Sequence, residues 1–106
     1  MGGIVLPTTA ADRTHVYHQY TIRVTADCKV DRQQFADALK AEGIIVGMYY
    51  PKALNEFPHV QAYGYKKGDF PVAEQLGREV VSLPVHPKLS EADIKLIVAT
   101  IKKVIA

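Results

Sequence analysis

The sequence has only one cysteine, Cys28, so its 106 residues can form no internal disulfide. The residues that follow Met1 lack both the basic start and the long apolar core of a secretory signal peptide. No apolar run approaches the roughly 20 residues that a membrane-spanning helix needs. These absences exclude a disulfide-stapled secreted protein, and they predict a soluble chain of cytoplasmic origin with no membrane partner.

A block of like charge is missing as well. The 13 basic and 11 acidic side chains alternate along the chain and give a formal net charge of +2. The basic pairs Lys66-Lys67 and Lys102-Lys103 are too few for a nucleic-acid interface, so we expect no nucleic-acid partner. Apolar residues make up 48% and charged residues 23% of the sequence, which is ordinary for one soluble globular domain of this length.

Three segments have the composition of strands. Residues 15–24 are rich in β-branched and aromatic residues that alternate at period two, which predicts a strand. Residues 44–50 form a nearly continuous apolar run, which predicts a central strand buried on both faces. Residues 81–85 form a brief extended segment. Residues 51–69 break every period with prolines and glycines, so we expect a long irregular loop there.

Three segments have the signals of helices. Asp31 opens a capping-box pattern that predicts a helix over residues 32–42, and Gly43 can end it in a left-handed conformation. Pro71 suits the first turn of a second helix, because its missing N–H is no loss there. Ser90 and the acidic residues after it predict the start of a third helix.

This order of elements predicts an α/β fold, a two-layer sandwich in which a small mixed sheet has helices on one face. The domain would comprise residues 15–106, and residues 1–14, which have no period, would be a linker. A domain of this size with one sheet face uncovered normally buries that face against another domain or subunit. We therefore expect a partner surface.

Four motifs, in this order and spacing, resemble the C-terminal domain of the DegT/DnrJ/StrS family of sugar aminotransferases. They are residues 15–24 (HVYHQYTIRV), 43–51 (GIIVGMYYP), 64–74 (GYKKGDFPVAE) and 82–87 (SLPVHP). The resemblance covers nearly the whole chain from about Ile4 onward. It implies the C-terminal small domain of a fold-type I aminotransferase.

The resemblance also implies an activity for the parent enzyme. In such enzymes pyridoxal phosphate forms a Schiff base with a lysine of the larger N-terminal domain, and an amino group passes from glutamate to a keto-sugar nucleotide. The linker of residues 1–14 would lead from that missing large domain, and the parent would be a homodimer. No segment here looks like the cofactor-lysine loop, so we expect this chain to hold no cofactor and to catalyse nothing by itself.

Three residues are predicted to contact substrate in the parent, and none to be catalytic. Tyr49 and Tyr50 match the family motif that lines one wall of the active-site cleft, although simple burial at a strand end is an equal alternative. Asn55 stands where many relatives have a histidine. Asparagine keeps a donor and an acceptor but carries no positive charge, which puts a charged contact to phosphate or sugar in doubt.

Structural roles are predicted for the remaining polar and aromatic motif residues: His15, His18, Tyr20, Asp69, Pro71 and His86. His15 and His18 are three apart on the predicted strand and would point to opposite faces, so we predict no metal site. Asp69 would satisfy free N–H groups at the start of the second helix. His86 lies between two prolines and would fix a turn.

One alternative function stays open on the sequence alone. Small α/β sandwiches also serve as stand-alone ligand-binding or interaction domains, and the fold by itself does not separate the two.

Overall fold

The computed structural model describes residues 2–106, which form one small sheet and its flanking helices. The strands are β1 (Ile4–Val5), β2 (Tyr20–Val24) and β3 (Val80–Leu83). The helices are α1 (Arg32–Ala41), α2 (Pro58–Gln61), α3 (Pro71–Glu79) and α4 (Glu91–Ile105), with a 3₁₀ turn at Leu54–Glu56 before α2.

The sheet has the order β1-β2-β3, and both pairings are antiparallel, where a mixed sheet was predicted. Ile4 lies opposite Val24, and Ile22 lies opposite Val81. The strand predicted from residue 15 begins only at Tyr20. Part of the predicted linker, β1, belongs to the sheet, while the boundary at residue 15 stays a prediction.

The predicted central strand at residues 44–50 does not form. Gly47 makes an isolated bridge to Ser82, and Ile45 is 78% exposed. The ladder does not extend along β3 because neither neighbouring donor position is free. Pro84 has no N–H, and the Val80 N–H already donates to the Leu76 carbonyl at the end of α3.

The hydrophobic core lies between the sheet and two helices, as expected for a two-layer sandwich. Its members come from all three strands, from α1 and α4, and from the segment after α1: Ile4, Ile22, Val24, Phe35, Leu39, Ile44, Val81, Ile97 and Ile101. The opposite face of the sheet is more polar. There Thr21 Oγ1 lies 2.9 Å from Ser82 Oγ, and Arg23 forms an ion pair of 2.6 Å with Glu79.

The predicted helix ends are confirmed. Asp31 accepts a hydrogen bond from the Gln34 N–H in a capping box, and Gly43 has a φ of +80° just after α1. Ser90 caps α4 in the same way. The segment 51–69 is more regular than predicted, because it contains the 3₁₀ turn and α2. No helix within residues 2–106 is long and apolar enough to cross a membrane.

Helix α3 does not bury its apolar stripe. Pro71 occupies its first turn as predicted, but the residues that it buries are Glu74 and Gly77. Val72 and Leu76, on the opposite side of the helix, are 70% and 39% exposed. The apolar face of α3 therefore points away from the domain's own core.

The domain exposes more surface than its mass requires. Its accessible area is 7485 Å², whereas a compact monomer of 11.7 kDa is expected to expose about 5,900 Å². Its radius of gyration is 15.6 Å, against about 13 Å expected for this length. The irregular segment of residues 8–16, every residue of which is exposed, contributes to this excess.

Gly77 provides a test of this packing. A Cβ at Gly77 would lie 2.9 Å from the Ala53 backbone nitrogen, and the Gly77 carbonyl accepts a hydrogen bond from Arg32. Alanine in a helix is normally favoured over glycine by about 1 kcal/mol. We expect Gly77→Ala instead to lower the free energy of unfolding by about 1 to 2 kcal/mol in urea melts, because overpacking outweighs helix propensity.

The matched control is Val72→Ala in the same helix, which changes an exposed residue and should leave stability within about 0.5 kcal/mol of the parent. A Gly77→Ala variant at least as stable as the parent would show that α3 does not need close contact with the segment at Ala53.

Candidate functional site

The two tyrosines predicted to contact substrate lie together at the mouth of an apolar cavity. Tyr49 and Tyr50 are 53% and 72% exposed. Their rings pack edge to face, with the ring centroids 6.1 Å apart. The cavity has a volume of about 570 Å³, and its walls also include Leu54, Phe57 and Leu76. We call it the tyrosine cavity. It is large enough for one aromatic or sugar ring system, and most of its walls are apolar.

A second cavity shares Tyr49 as a lining residue with the first. It has a volume of about 390 Å³, and its lining includes His18, Gln19, Ser82 and His86. We call it the histidine cavity. Tyr49 borders both cavities. An apolar compartment and a compartment with several hydrogen-bonding side chains therefore meet at one ring.

A buried carboxylate organises the segment behind the tyrosine cavity. Glu74 is only 4% exposed. Its Oε1 accepts hydrogen bonds from the Asn55 side-chain amide at 2.6 Å, from the Gly68 N–H at 2.7 Å and from the Phe70 N–H at 3.4 Å. These bonds tie the 3₁₀ turn and the chain before α3 to one oxygen atom.

The carboxylate network shifts the titration of Glu74. The hydrogen bond from Asn55 makes the largest contribution and lowers the pKa of Glu74 below its ordinary 4.5. Burial opposes this shift, and the hydrogen bonds from Gly68 and Phe70 add to it. Glu74 is therefore ionised at neutral pH in a buried position where its charge is matched by donors.

Asn55 is buried and bonded to Glu74. It is 3% exposed, and its amide nitrogen donates to Glu74 and to the Lys66 carbonyl at 2.9 Å. Both amide hydrogens are used inside the domain. The substrate contact predicted for Asn55 stays a prediction, and the interaction that the structure provides for it is with Glu74.

Asp69 does not cap α3, contrary to the sequence prediction. Its carboxylate accepts from the Lys66 N–H at 2.8 Å and pairs with the Lys66 ammonium at 3.0 Å. The Lys66 backbone bond is the main reason that the pKa of Asp69 is lowered. The residue before α3 is Phe70, which has no capping side chain, and Glu74 reaches back to its N–H instead.

Of the other motif residues, His18 and His86 line the histidine cavity. His15 Nδ1 accepts a hydrogen bond from the Tyr17 N–H at 2.8 Å, before the start of β2. Tyr20 packs against the core, whereas His18 lines the cavity. The His86 carbonyl accepts from the Leu89 N–H at 3.2 Å, so His86 lies in a turn as predicted. Within residues 2–106, no three or more His, Cys, Asp and Glu side chains cluster to hold a metal.

Comparison with known proteins identifies the family. The family model of the DegT/DnrJ/EryC1/StrS aminotransferases matches residues 1–102. The chain belongs to this family. The resemblance seen in the four sequence motifs is thereby confirmed.

The relatives of this DegT-family chain are several times longer. The chain is 35% identical over 99 residues to the UDP-2-acetamido-2-deoxy-3-oxo-D-glucuronate aminotransferase of Pseudomonas aeruginosa, covering 93% of this chain and 25% of that one. S. venezuelae DesV, solved in complex with a ketimine intermediate, has a TM-score of 0.82 at 31% identity, covering 96% of this chain and 26% of DesV.

A family member from Brucella abortus has a TM-score of 0.80 at 31% identity, covering 98% of this chain and 26% of that one. The chain therefore spans about a quarter of the length of these relatives.

The residues of this DegT-family chain do not fit a covalent site for pyridoxal phosphate. The cofactor needs a desolvated lysine that can form a Schiff base. Every lysine in the chain is exposed. This chain alone therefore offers no desolvated lysine for a Schiff base.

Glu74 and Arg32 are the organising residues that sequence reasoning missed. Arg32 donates to the Gly77 carbonyl and, at 3.4 Å, to the Pro51 carbonyl, so it joins α1 to the segment after Tyr50. The helical pattern gave no signal for Glu74. It lies on the side of α3 opposite the apolar stripe, and such a residue is usually assigned to solvent.

We expect acid to destabilise the domain partly through Glu74. Because the pKa of Glu74 is lowered in the folded state, its stabilising contribution is complete above about 4.5 and is lost as pH falls through the folded pKa. Glu74→Gln should lower the melting temperature at pH 7 by roughly 5 °C or more. It should also weaken the dependence of stability on pH below 4.5.

Glu91→Gln is the control, because Glu91 is exposed and pairs only with Lys95 on the surface of α4. Thermal melts between pH 3 and 7 give the answer. A Glu74→Gln variant with the parent's melting temperature and the parent's acid dependence would disprove the organising role of the carboxylate.

Proposed function

We propose that this chain works as the small domain of a nucleotide-sugar aminotransferase, packing on a larger domain and forming one wall of the active-site cleft. One observation carries the proposal: the apolar stripe of α3 and the tyrosine cavity face outward while a charged carboxylate is buried behind them. A domain that functions alone would gain free energy by burying the apolar side instead.

The proposed parent transfers an amino group from glutamate to a keto-sugar nucleotide. Relatives named as transaminases of UDP-linked and dTDP-linked sugars support this substrate class, and they favour an enzyme over a stand-alone binding module. Pyridoxal phosphate, named in the solved PLP-form of a relative, would be held by a lysine of the larger domain. The parent would be a cytoplasmic homodimer.

Tyr49 and Tyr50 are the proposed contacts of this chain to the substrate. An exposed ring beside an apolar cavity can stack on a base or a sugar, and a phenol oxygen can donate to or accept from a hydroxyl group. Asn55 would act through Glu74 by holding the 3₁₀ turn that follows the tyrosines. The chain would therefore orient the acceptor, while the chemistry of amino transfer takes place on the other wall.

The kinetic test uses the natural protein purified with the rest of its polypeptide. Tyr50→Ala should raise the KM for the keto-sugar nucleotide by about tenfold, the upper range for one aromatic contact, and should leave the KM for glutamate nearly unchanged. Glutamate reacts at the cofactor and does not need the nucleotide-binding wall. Initial rates with each substrate varied in turn measure the two constants.

Tyr63→Ala is the matched control, because Tyr63 is 84% exposed and lines neither the tyrosine cavity nor the histidine cavity. Equal rises in both KM values, or no change in either, would mean that Tyr50 only supports the fold. A purified protein that fails to transfer nitrogen from glutamate to any keto-sugar nucleotide would refute the proposed activity.

A further inference from the structure

Gly47 lies beneath the ring of Tyr49 with no space for a side chain. A Cβ built at Gly47 would overlap Tyr49 Cε2 and would lie 2.7 Å from Cζ and 2.9 Å from the hydroxyl oxygen. Real Cβ atoms essentially never approach other heavy atoms this closely. The φ of Gly47 is outside the left-handed region that favours glycine, so space rather than backbone conformation requires glycine here.

The backbone at Gly47 cannot easily move to relieve such an overlap. The Gly47 N–H donates to the Ser82 carbonyl at 2.9 Å, and the Ser82 N–H donates to the Gly47 carbonyl at 2.7 Å. Ser82 is in turn paired with Thr21 in β2. Gly47 is thus bonded to Ser82 through both its N–H and its carbonyl. A methyl group added at Gly47 would therefore displace the Tyr49 ring rather than the backbone.

The position of this ring matters because Tyr49 is a wall of both cavities, whereas Gly47 lines only the histidine cavity. We propose that Gly47 is a positioning residue for Tyr49. Its missing side chain lets the ring lie against the Gly47 backbone, where Tyr49 lines both the tyrosine cavity and the histidine cavity. The functional value of this arrangement rests on the proposed role of Tyr49 in substrate binding.

The test is a double-mutant cycle on this chain, which does not depend on aminotransferase activity. Gly47→Ala should displace the Tyr49 ring and so change its resonances in ¹³C-tyrosine spectra, with those of Tyr63 unchanged, and should lower the melting temperature by roughly a few degrees. In a Tyr49→Ala background the same Gly47→Ala change should cost nothing, because the overlapping ring is gone. Gly2→Ala is the control, since a Cβ at Gly2 meets nothing within 4 Å.

Equal losses of melting temperature in the two backgrounds, or unchanged Tyr49 resonances in Gly47→Ala, would overturn the proposal. If Gly47→Ala alone does not fold, the double variant Gly47→Ala/Tyr49→Ala decides: the proposal requires it to fold like Tyr49→Ala. The Gly47→Ala cost could disappear in the Tyr49→Ala background of a protein that has no transaminase activity. Gly47 would then still position the Tyr49 ring, and only the substrate contact proposed for that ring would be refuted.

Discussion

The buried carboxylate of Glu74 determines how the functional half of this domain is arranged. An ionised group without water must be surrounded by donors, and Glu74 takes them from Asn55, Gly68 and Phe70. Helix α3 must therefore turn its Glu74 side toward the residues that precede it, which supply these donors. Because Val72 and Leu76 lie on the opposite side of α3, the apolar stripe of the helix faces outward. Breaking the carboxylate's contacts would remove the reason for this orientation.

The outward stripe and the tyrosine cavity form one surface that the domain itself does not cover. The accessible area of 7485 Å² exceeds the roughly 5,900 Å² expected for a compact monomer of this mass, and the exposed side chains of this surface contribute to the difference. The core beneath the sheet is well buried, with Phe35 and Leu39 at 0% exposure. The domain thus combines a closed core on one side with an open apolar surface on the other. This combination is expected of one domain of a larger enzyme.

The elements that local chemistry specifies were predictable from the sequence. Asp31 and Ser90 mark helix starts through capping bonds, and Pro71 does so through its missing N–H. Gly43 marks a helix end through its positive φ, and each of the four lies at a helix end in the structure. The family was also recognisable, because its motifs keep their order and spacing. Of the candidate site, motif resemblance singled out Tyr49, Tyr50 and Asn55, and their contact with substrate stays a prediction.

The features that the sequence did not predict depend on contacts between residues far apart in the chain. The strand expected at residues 44–50 fails because Val80 and Pro84 offer no free donors, which no local pattern indicates. Glu74 rather than Asp69 binds the turn before α3, and this choice depends on where Asn55 lies in space. We propose that another part of the parent polypeptide covers the outward surface.

Hydrogen–deuterium exchange tests most directly whether another part of the polypeptide covers this surface. The comparison is between residues 1–106 alone and the protein purified from its source cells. We expect at least tenfold slower exchange over residues 49–57 and 70–77 in the natural protein, with little change over residues 35–39 of the core. Equal exchange of these surface segments in both samples would contradict this proposal.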